Sequence, residues 1–278
     1  MKLRKIIKKL WRFAVGNYFV SIFFACIVFV VFVSAYKLFF TKPTFIYVKV
    51  KMGQGLWWAS TGKTPIWFIK GLKKGDVEKD LIGNSSAEIL SVRYYPWTYN
   101  QNQYDVYVDL KLKVTGDKKT GKYNFNRSTI GVGVPIDLEF PSSQFSGTII
   151  DISEKPFKKK YIEKIVSLIK ASGYNKDFPF PYENIVIGDK YFDGEDYVFE
   201  VLDKKLQKQI WTVTNNLTGQ LYEREVETSQ GIIIKAKIKV KEVDKYLVYG
   251  EDQIVSLNRN LNISTSRAYG DYTIIGIE

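Results

Sequence analysis

Two aspartates on one predicted strand are the first candidates for chemistry in this sequence. Asp105 and Asp109 lie four residues apart in the segment 104–114, where polar and apolar residues alternate. Residues with that separation share one face of a strand, so the pair could supply the acid and the base of a glycoside hydrolase. Alternation with valine and leucine is also typical of the solvent-exposed face of a strand, and we favour this interpretation.

Two further segments resemble ligand-binding loops but lack a required residue. Residues 189–200 place aspartate, aspartate, glycine and glutamate at positions 1, 5, 6 and 12 of a calcium-binding loop, whereas position 3 is Tyr191, which has no carboxylate. Residues 59–64 end in Gly-Lys-Thr as a phosphate-binding loop does, but Trp57 stands where the first glycine is required. We therefore expect turns at both places, and the sequence predicts no catalytic residue, metal or cofactor.

The composition narrows the possible chemistry further. The chain contains no histidine, and its one cysteine, Cys26, lies within an apolar run. These counts exclude catalytic sets that need histidine, zinc ribbons and disulfide frameworks. Any reaction would have to use carboxylates, lysines, tyrosines or serines, and we predict that the protein is not an enzyme.

Aromatic residues in the first half of the chain form the most distinctive candidate site. The residues concerned are Trp57, Trp58, Trp67, Tyr94, Tyr95 and Trp97. Trp57 and Trp58 are adjacent, so in a strand their side chains would point to opposite faces. One interpretation is a contact patch for a partner, a glycan or the membrane interface, and it makes these residues the candidate site; the other, which we favour, is that these side chains pack inside the first module.

The basic residues are concentrated near the N-terminus. Six of them precede a long apolar run: Lys2, Arg4, Lys5, Lys8, Lys9 and Arg12. They predict a cytoplasmic amphipathic helix at residues 1–13 that lies on anionic lipid headgroups. Two more lysines flank the run, and without these eight the residues 43–278 carry 33 basic and 29 acidic residues, a net charge of +4. This small excess does not predict nucleic acid as a partner.

The apolar run predicts a single transmembrane helix. Residues 14–36 contain no charged residue, and at about 1.5 Å per residue a helix of this length spans about 35 Å, more than the apolar thickness of a bilayer. We expect a transmembrane helix at residues 14–40 that is retained as a signal anchor. Val33-Ser34-Ala35 also satisfies the rule for a cleaved signal peptide, although the run is longer than such signals usually are.

The remainder of the sequence predicts a mainly-β domain built from two copies of one module. The alternating segments 104–114 and 232–240 are preceded by Gly75-Asp76 and Gly188-Asp189, respectively. Both copies close with Thr-Ile-Ile-X-Ile, at residues 148–152 and 273–277. The fixed order of these elements predicts two tandem antiparallel barrel-like or sandwich-like modules at residues 43–152 and 182–278.

A helix is expected between the modules. Ile162, Ile165, Val166 and Ile169 have the spacing of an apolar helix stripe, and Gly173 follows as a possible C-cap. The spacing predicts a helix over residues 158–173 within a linker at residues 153–181.

These features together favour a non-catalytic envelope protein. We expect a scaffold or adaptor subunit in the cell membrane, with a cytoplasmic N-terminus and a periplasmic or extracellular C-terminal domain. Its expected partners are the lipid bilayer and either further copies of itself or a membrane protein complex. The alternative is a cell-surface receptor that binds a glycan or another surface ligand through the tryptophan and tyrosine patch.

Overall fold

The computed structural model describes most of the chain in nine stretches. These are residues 16–40, 44–53, 64–80, 83–97, 100–116, 122–158, 160–175, 180–214 and 218–278. The chain divides into two compact units, residues 1–44 and residues 45–278. The predicted amphipathic helix at residues 1–13, with its six basic residues, lies outside the described residues.

The first unit contains helix α1, Tyr18–Phe40. Between Gly16 and Pro43 the sequence has neither glycine nor proline, so nothing interrupts the backbone hydrogen bonds of the helix. Residues 14 and 15 of the predicted transmembrane segment lie outside the described part of the chain, as do the side chains of residue 35 and residues 37–40. Among the residues that the structure does describe, no helix is both long enough and apolar enough to cross a membrane.

The second unit begins with a nine-stranded antiparallel sheet and one short helix. Its strands β1 to β9 are Thr44–Met52, Thr64–Pro65, Val77–Lys79, Ser85–Trp97, Asn100–Gly116, Tyr123–Phe125, Ser128–Ile130, Pro135–Phe140 and Ser143–Ser153, and helix α2 is Ile66–Ile69. The main strand order is β3-β4-β5-β1-β9-β8. Because β3 and β8 at the two ends of this order also contact each other, the sheet is barrel-like.

An eight-stranded antiparallel sheet follows. Its strands β10 to β17 are Tyr161–Asn175, Lys190–Phe192, Tyr197–Thr214, Leu221–Val243, Tyr246–Tyr249, Gln253–Ile254, Asn260–Ser264 and Tyr269–Ile277, and helix α3 is Phe180–Glu183. The main order is β11-β12-β13-β10-β17-β16. Strand for strand, this is the order of the first sheet, and the predicted tandem β modules are confirmed.

The duplication extends to individual hydrogen bonds. The backbone N–H of Gly75 donates to the carbonyl oxygen of Ile89 over 2.8 Å, and in the second sheet Gly188 donates to Val201 over the same distance. The two Gly-Asp turns noted in the sequence therefore make the same connection to the neighbouring strand in both copies.

The predicted helix over residues 158–173 is wrong, because these residues form strand β10. β10 pairs with β13 and β17 and holds the position that β1 holds in the first sheet. In the strand, Val166 and Leu168 are buried on one face, while Ile165 and Ile169 lie on the other, so the expected helix stripe is divided between two faces. Three β-branched isoleucines and a valine favour the strand. The second sheet thus begins at Tyr161, before the predicted boundary at residue 182.

The hydrophobic cores of the two sheets meet. Alternate residues of β1, such as Ile46, Val48 and Val50, are buried in the core of the first sheet. The core of the second sheet includes Tyr95 and Tyr107, which belong to strands β4 and β5 of the first sheet. Side chains of the first sheet therefore complete the core of the second, and the two copies do not pack as independent domains.

Candidate functional site

A cluster of buried charges lies where the two sheets meet. The guanidinium of Arg93 on β4 contacts Asp109 Oδ2 on β5 through Nη2 at 2.7 Å. Its Nη1 contacts Glu251 Oε1, in the turn between β14 and β15 of the second sheet, at 3.0 Å. The side chains of Arg93 and Glu251 are only 2% and 4% exposed. Ion pairs this well shielded from water interact far more strongly than pairs on a surface.

Glu251 is the shared anion of this cluster. Lys49 on β1 contacts its Oε2 at 2.8 Å, and Lys241 on β13 contacts its Oε1 at 2.5 Å. One carboxylate of the second sheet thus receives two cations from the first sheet and one from its own sheet. Three cations face two carboxylates, those of Glu251 and Asp109, so the cluster has a formal charge of +1.

Burial and these ion pairs together determine the pKa values of the charged groups in the cluster. Burial alone would raise the pKa of Glu251, but Arg93, Lys241 and Lys49 together hold it below its ordinary value. Burial lowers the pKa of Lys241 to about 8, and repulsion by Arg93 and Lys49 contributes to this shift, although Glu251 opposes it. Burial would also lower the pKa of Arg93, but Glu251 and Asp109 hold it above its usual range. The cluster therefore stabilises the charge of Glu251 more than that of Lys241.

The lowered pKa of Lys241 predicts a pH dependence of stability. Between pH 8 and the ordinary lysine value of 10.5, the unfolded chain holds a proton on Lys241 that the folded protein has lost. The free energy of unfolding should therefore rise with pH in this range, by up to about 1.4 kcal/mol per pH unit. Urea unfolding of the wild type and of Lys241→Met at several pH values measures the effect as the difference between the two curves. Curves that run parallel from pH 7 to 10 would contradict this assignment.

A second set of contacts joins the loop between β11 and β12 to strand β4. The hydroxyl of Tyr95 donates to Oδ2 of Asp193 over 2.8 Å. Burial raises the pKa of Tyr95, and the negative charge of Asp193 raises it further. Oδ1 of Asp193 accepts the backbone N–H groups of Glu195 and Asp196, both at 2.9 Å. Asp193, the second acid of the calcium-like segment, is fully buried and uses both oxygens to hold this turn against the first sheet.

Backbone contacts bring the same two segments still closer. The N–H of Tyr94 donates to the carbonyl oxygen of Asp193 over 2.8 Å, and the hydroxyl of Tyr191 donates to the carbonyl oxygen of Tyr94 over 2.6 Å. Gly194 has a φ of +106°, and a Cβ at this residue would lie 2.5 Å from the carbonyl oxygen of Val92. Glycine is therefore required here both by its backbone conformation and by the close approach of β4.

The two candidate catalytic aspartates have different environments. Asp109 is buried, accepts a hydrogen bond from Ser91 Oγ at 2.8 Å and pairs with Arg93, so its predicted place on a solvent-exposed face is wrong. The neighbouring strand explains the difference, because β4 places Ser91 opposite Asp109 and Arg93 two residues further on. Asp105 is half-buried and contacts Lys51 at 3.3 Å. Both carboxylates thus contact basic side chains at the meeting of the sheets.

A cleft of about 230 Å³ opens beside this interface. Its walls combine aromatic side chains with carboxylates and amides: Tyr95, Trp97, Tyr107, Asp105, Asp252, Asp271, Gln253, Asn260 and Asn262. Asp252 accepts a hydrogen bond from the hydroxyl of Tyr107 at 3.0 Å and contacts Lys51 at 3.4 Å. Asp252 thus also contributes to the contact between the sheets. The part of the chain that the structure describes contains no group of acidic or cysteine residues that could hold a metal ion.

The residues of the predicted aromatic patch have several different environments. Trp57 and Trp58 lie outside the described residues, and Trp67 on α2 is 72% exposed. Tyr94 is half-buried and makes an edge contact with Tyr104, whereas Tyr95 is buried between the sheets. Two of the described members, Tyr95 and Trp97, line a common cleft.

The residues that dominate the interface were not found from the sequence. The local sequence is typical of an ordinary strand or turn at each of these residues, which are Arg93, Glu251 and Asp193. A comparison of the two copies could have singled out Arg93 and Asp109, because the strand register makes Lys205 and Lys235 their equivalents in the second copy. An oppositely charged pair in the first copy thus corresponds to two lysines in the second.

Comparison of the chain with protein-family models, with curated proteins and with solved structures gave no match. No relative therefore contributes a function to this chain. Its function has to be inferred from the residues and contacts described above.

Proposed function

We propose that this protein is a non-catalytic, membrane-anchored scaffold or adaptor subunit of a cell envelope. In this proposal it assembles with itself or with a membrane complex through its exported β modules. The observation that carries the proposal is the buried interface centred on Glu251, where two lysine- and arginine-bearing strands of the first sheet meet a turn of the second. An interface of this kind gives two modules a fixed relative position, which a scaffold requires.

The chemical groups at the interface support a structural role over a catalytic one. Asp109 and Asp193, the best-placed acids of the two candidate catalytic or metal segments, are buried and engaged by Arg93 and Tyr95, respectively. A general acid or a metal ligand has to be reachable by its substrate or ion. The same contacts stabilise the association of the two sheets, and a scaffold needs modules that are held together in this way.

The anchor is proposed to be the apolar segment at residues 14–40, with the N-terminus in the cytoplasm. Its support comes from α1, whose described side chains are almost all apolar and exposed, as in Phe19, Val28, Phe29 and Phe32. Its few small polar residues, such as Ser21 and Ser34, do not form a charged face of the kind that a surface helix presents to water. The basic residues before the segment favour the cytoplasmic orientation. The remainder of the chain would then lie in the periplasm or outside the cell.

Isolation of the full-length protein from its native membrane in a mild detergent tests the proposal. We expect the protein to purify with additional copies of itself or with the same companion chains in every preparation, as identified by mass spectrometry. A matched preparation from membranes that lack the protein identifies chains that bind the resin alone. Recovery of the protein without companions and in a single copy would contradict the scaffold function.

A further inference from the structure

A larger cleft, of about 380 Å³, lies between the first sheet and the edge of the second. Strands β4 and β5 contribute to it from the first sheet, and strand β11 and the turn between β16 and β17 contribute from the second. Its volume is within the range of small-molecule sites, which is about 300–1,000 Å³. We call it the aromatic cleft, because its lining includes Pro96, Tyr104, Tyr191, Phe192 and Tyr269.

The aromatic cleft retains apolar surface that the fold has not buried. Phe192 and Tyr269 are 42% and 51% exposed, and Tyr104 and Tyr191 are half-buried. An apolar ligand that covers such rings removes their surface from water, which is favourable. The cleft therefore favours a ligand with an aromatic or other apolar body.

Arg267 supplies a positive charge to the same cleft. Its side chain is exposed and makes no ion pair or hydrogen bond with any residue in the part of the chain that the structure describes. The turn that carries it is fixed, because Thr265 Oγ1 accepts the backbone N–H of Arg267 at 3.3 Å and that of Ala268 at 3.0 Å. The N–H of Thr265 also donates to the carbonyl oxygen of Ala268 over 2.7 Å. The backbone at Arg267 is thus ordered before any ligand binds.

The other polar groups of the cleft are already engaged. Lys190 contacts Glu200 at 3.3 Å, and the hydroxyl of Ser266 donates to Oδ1 of Asp189 over 3.0 Å. The described lining residues include no carboxylate that could neutralise Arg267 inside the cleft. One available guanidinium suits a ligand with a single negative charge, and guanidinium and carboxylate groups match in a two-point geometry.

The β module does not need these residues in order to form. Strand register makes three residues of the cleft equivalent to polar residues of the first copy. The pairs are Phe192 and Lys79, Arg267 and Ser142, and Tyr269 and Gln144. Since the first copy forms the same strands with a lysine, a serine and a glutamine at these places, the two aromatic rings and the arginine are not requirements of the fold.

We propose that the aromatic cleft binds a small organic anion in which a carboxylate is joined to an aromatic or similarly apolar body. The guanidinium of Arg267 pairs with the carboxylate, and the apolar body covers the exposed rings of Phe192 and Tyr269. This binding activity does not depend on the proposed scaffold function.

Three probes that share one ring system test the charge that the cleft selects. They are 2-naphthoate, 2-naphthamide and 2-naphthylmethylamine, which are anionic, neutral and cationic at neutral pH. Equilibrium dialysis against the full-length protein in mild detergent measures binding, with the same detergent without protein as the blank. We expect 2-naphthoate to bind with a Kd below about 1 mM, at least about tenfold more tightly than the amide, and the amine to bind most weakly. Equal affinities for the three probes, or no binding of 2-naphthoate, would overturn the inference.

Substitutions then locate the site. Arg267→Gln should weaken binding of 2-naphthoate at least about tenfold and leave that of 2-naphthamide unchanged, whereas Phe192→Ala should weaken both. The matched control is Arg259→Gln, at an exposed arginine of the same half of the chain that does not line this cleft, and it should change neither.

Unfolding curves establish that each variant is folded, and the comparison of the three probes on the wild type decides the matter if one is not. If Arg267→Gln binds 2-naphthoate as tightly as the wild type, or if Arg259→Gln weakens it equally, the inference is overturned and the scaffold proposal is unaffected.

Discussion

Glu251→Gln is expected to lower the free energy of unfolding of residues 45–278 by about 3–5 kcal/mol. The substitution keeps the size of the side chain but removes the anion that Arg93, Lys49 and Lys241 share. Asp109 alone then faces three cations at the meeting of the sheets. Removal of one partner from a buried ion cluster has a large effect, because the remaining charges stay buried without compensation. Urea unfolding of the full-length protein in detergent measures this loss.

Glu242→Gln provides the matched control. Glu242 lies on β13 next to Lys241 in sequence but is exposed, so its substitution should change stability by less than about 0.5 kcal/mol. Addition of Lys241→Met to Glu251→Gln should recover part of the loss, since it removes one of the uncompensated cations. A loss below about 1 kcal/mol for Glu251→Gln would show that the cluster does not hold the sheets together.

Gly194→Ala is expected to destabilise the association of the two sheets by about 3 kcal/mol or more. The new Cβ would lie 2.5 Å from the carbonyl oxygen of Val92 and 2.8 Å from Cε1 of Tyr94. A backbone oxygen in a strand cannot move aside as the end of a flexible side chain can, so the loop at Asp193 would have to withdraw from β4. The left-handed φ of +106° adds strain of its own. Thermal and urea unfolding measure the loss.

Gly83→Ala separates the effect of backbone strain from the effect of the close contact with β4. Gly83 lies in the loop of the first copy that corresponds to the Gly194 loop, and its φ of +88° is also left-handed. A Cβ at Gly83 meets no atom within 4 Å. We expect a loss of about 1 kcal/mol for this variant, from backbone strain alone. Equal losses for the two alanine variants would contradict a role for the close approach at Gly194.

The sequence predicted the features of the fold that depend on neighbouring residues. The Gly-Asp turns at residues 75–76 and 188–189 were recognisable because each needs a glycine with a left-handed backbone, and both glycines have φ values near +86°. The alternating segments 104–114 and 232–240 form the long strands β5 and β13. Repetition of these elements in one order was sufficient to predict two similar modules.

Strand β10 was missed because its apolar spacing fits two structures. Ile162, Ile165, Val166 and Ile169 match one face of a helix, and nothing in the segment itself shows that β13 and β17 will lie on either side. Pairing with two strands that are distant in sequence decided the outcome. The repeat itself could have predicted strand β10, because the first module begins with strand β1 at the corresponding place.

The buried charges could not be predicted because their partners are far apart in sequence. Arg93 meets Glu251, and Tyr95 meets Asp193, only after both sheets have formed and packed. In a strand, a polar residue at an alternate position usually faces water, and this expectation was wrong for Asp109. The site therefore depends on the tertiary packing of two copies, which a single-sequence pattern does not contain.

The measurement that most directly tests the scaffold function is the mass of the full-length protein extracted from its native membrane, determined by light scattering with the detergent contribution subtracted. One chain has a mass of 32.2 kDa. The proposed function predicts a discrete protein mass well above this value, either a multiple of it or the sum of this chain and its companions. A protein mass equal to one chain, across the concentration range of the measurement, would contradict it.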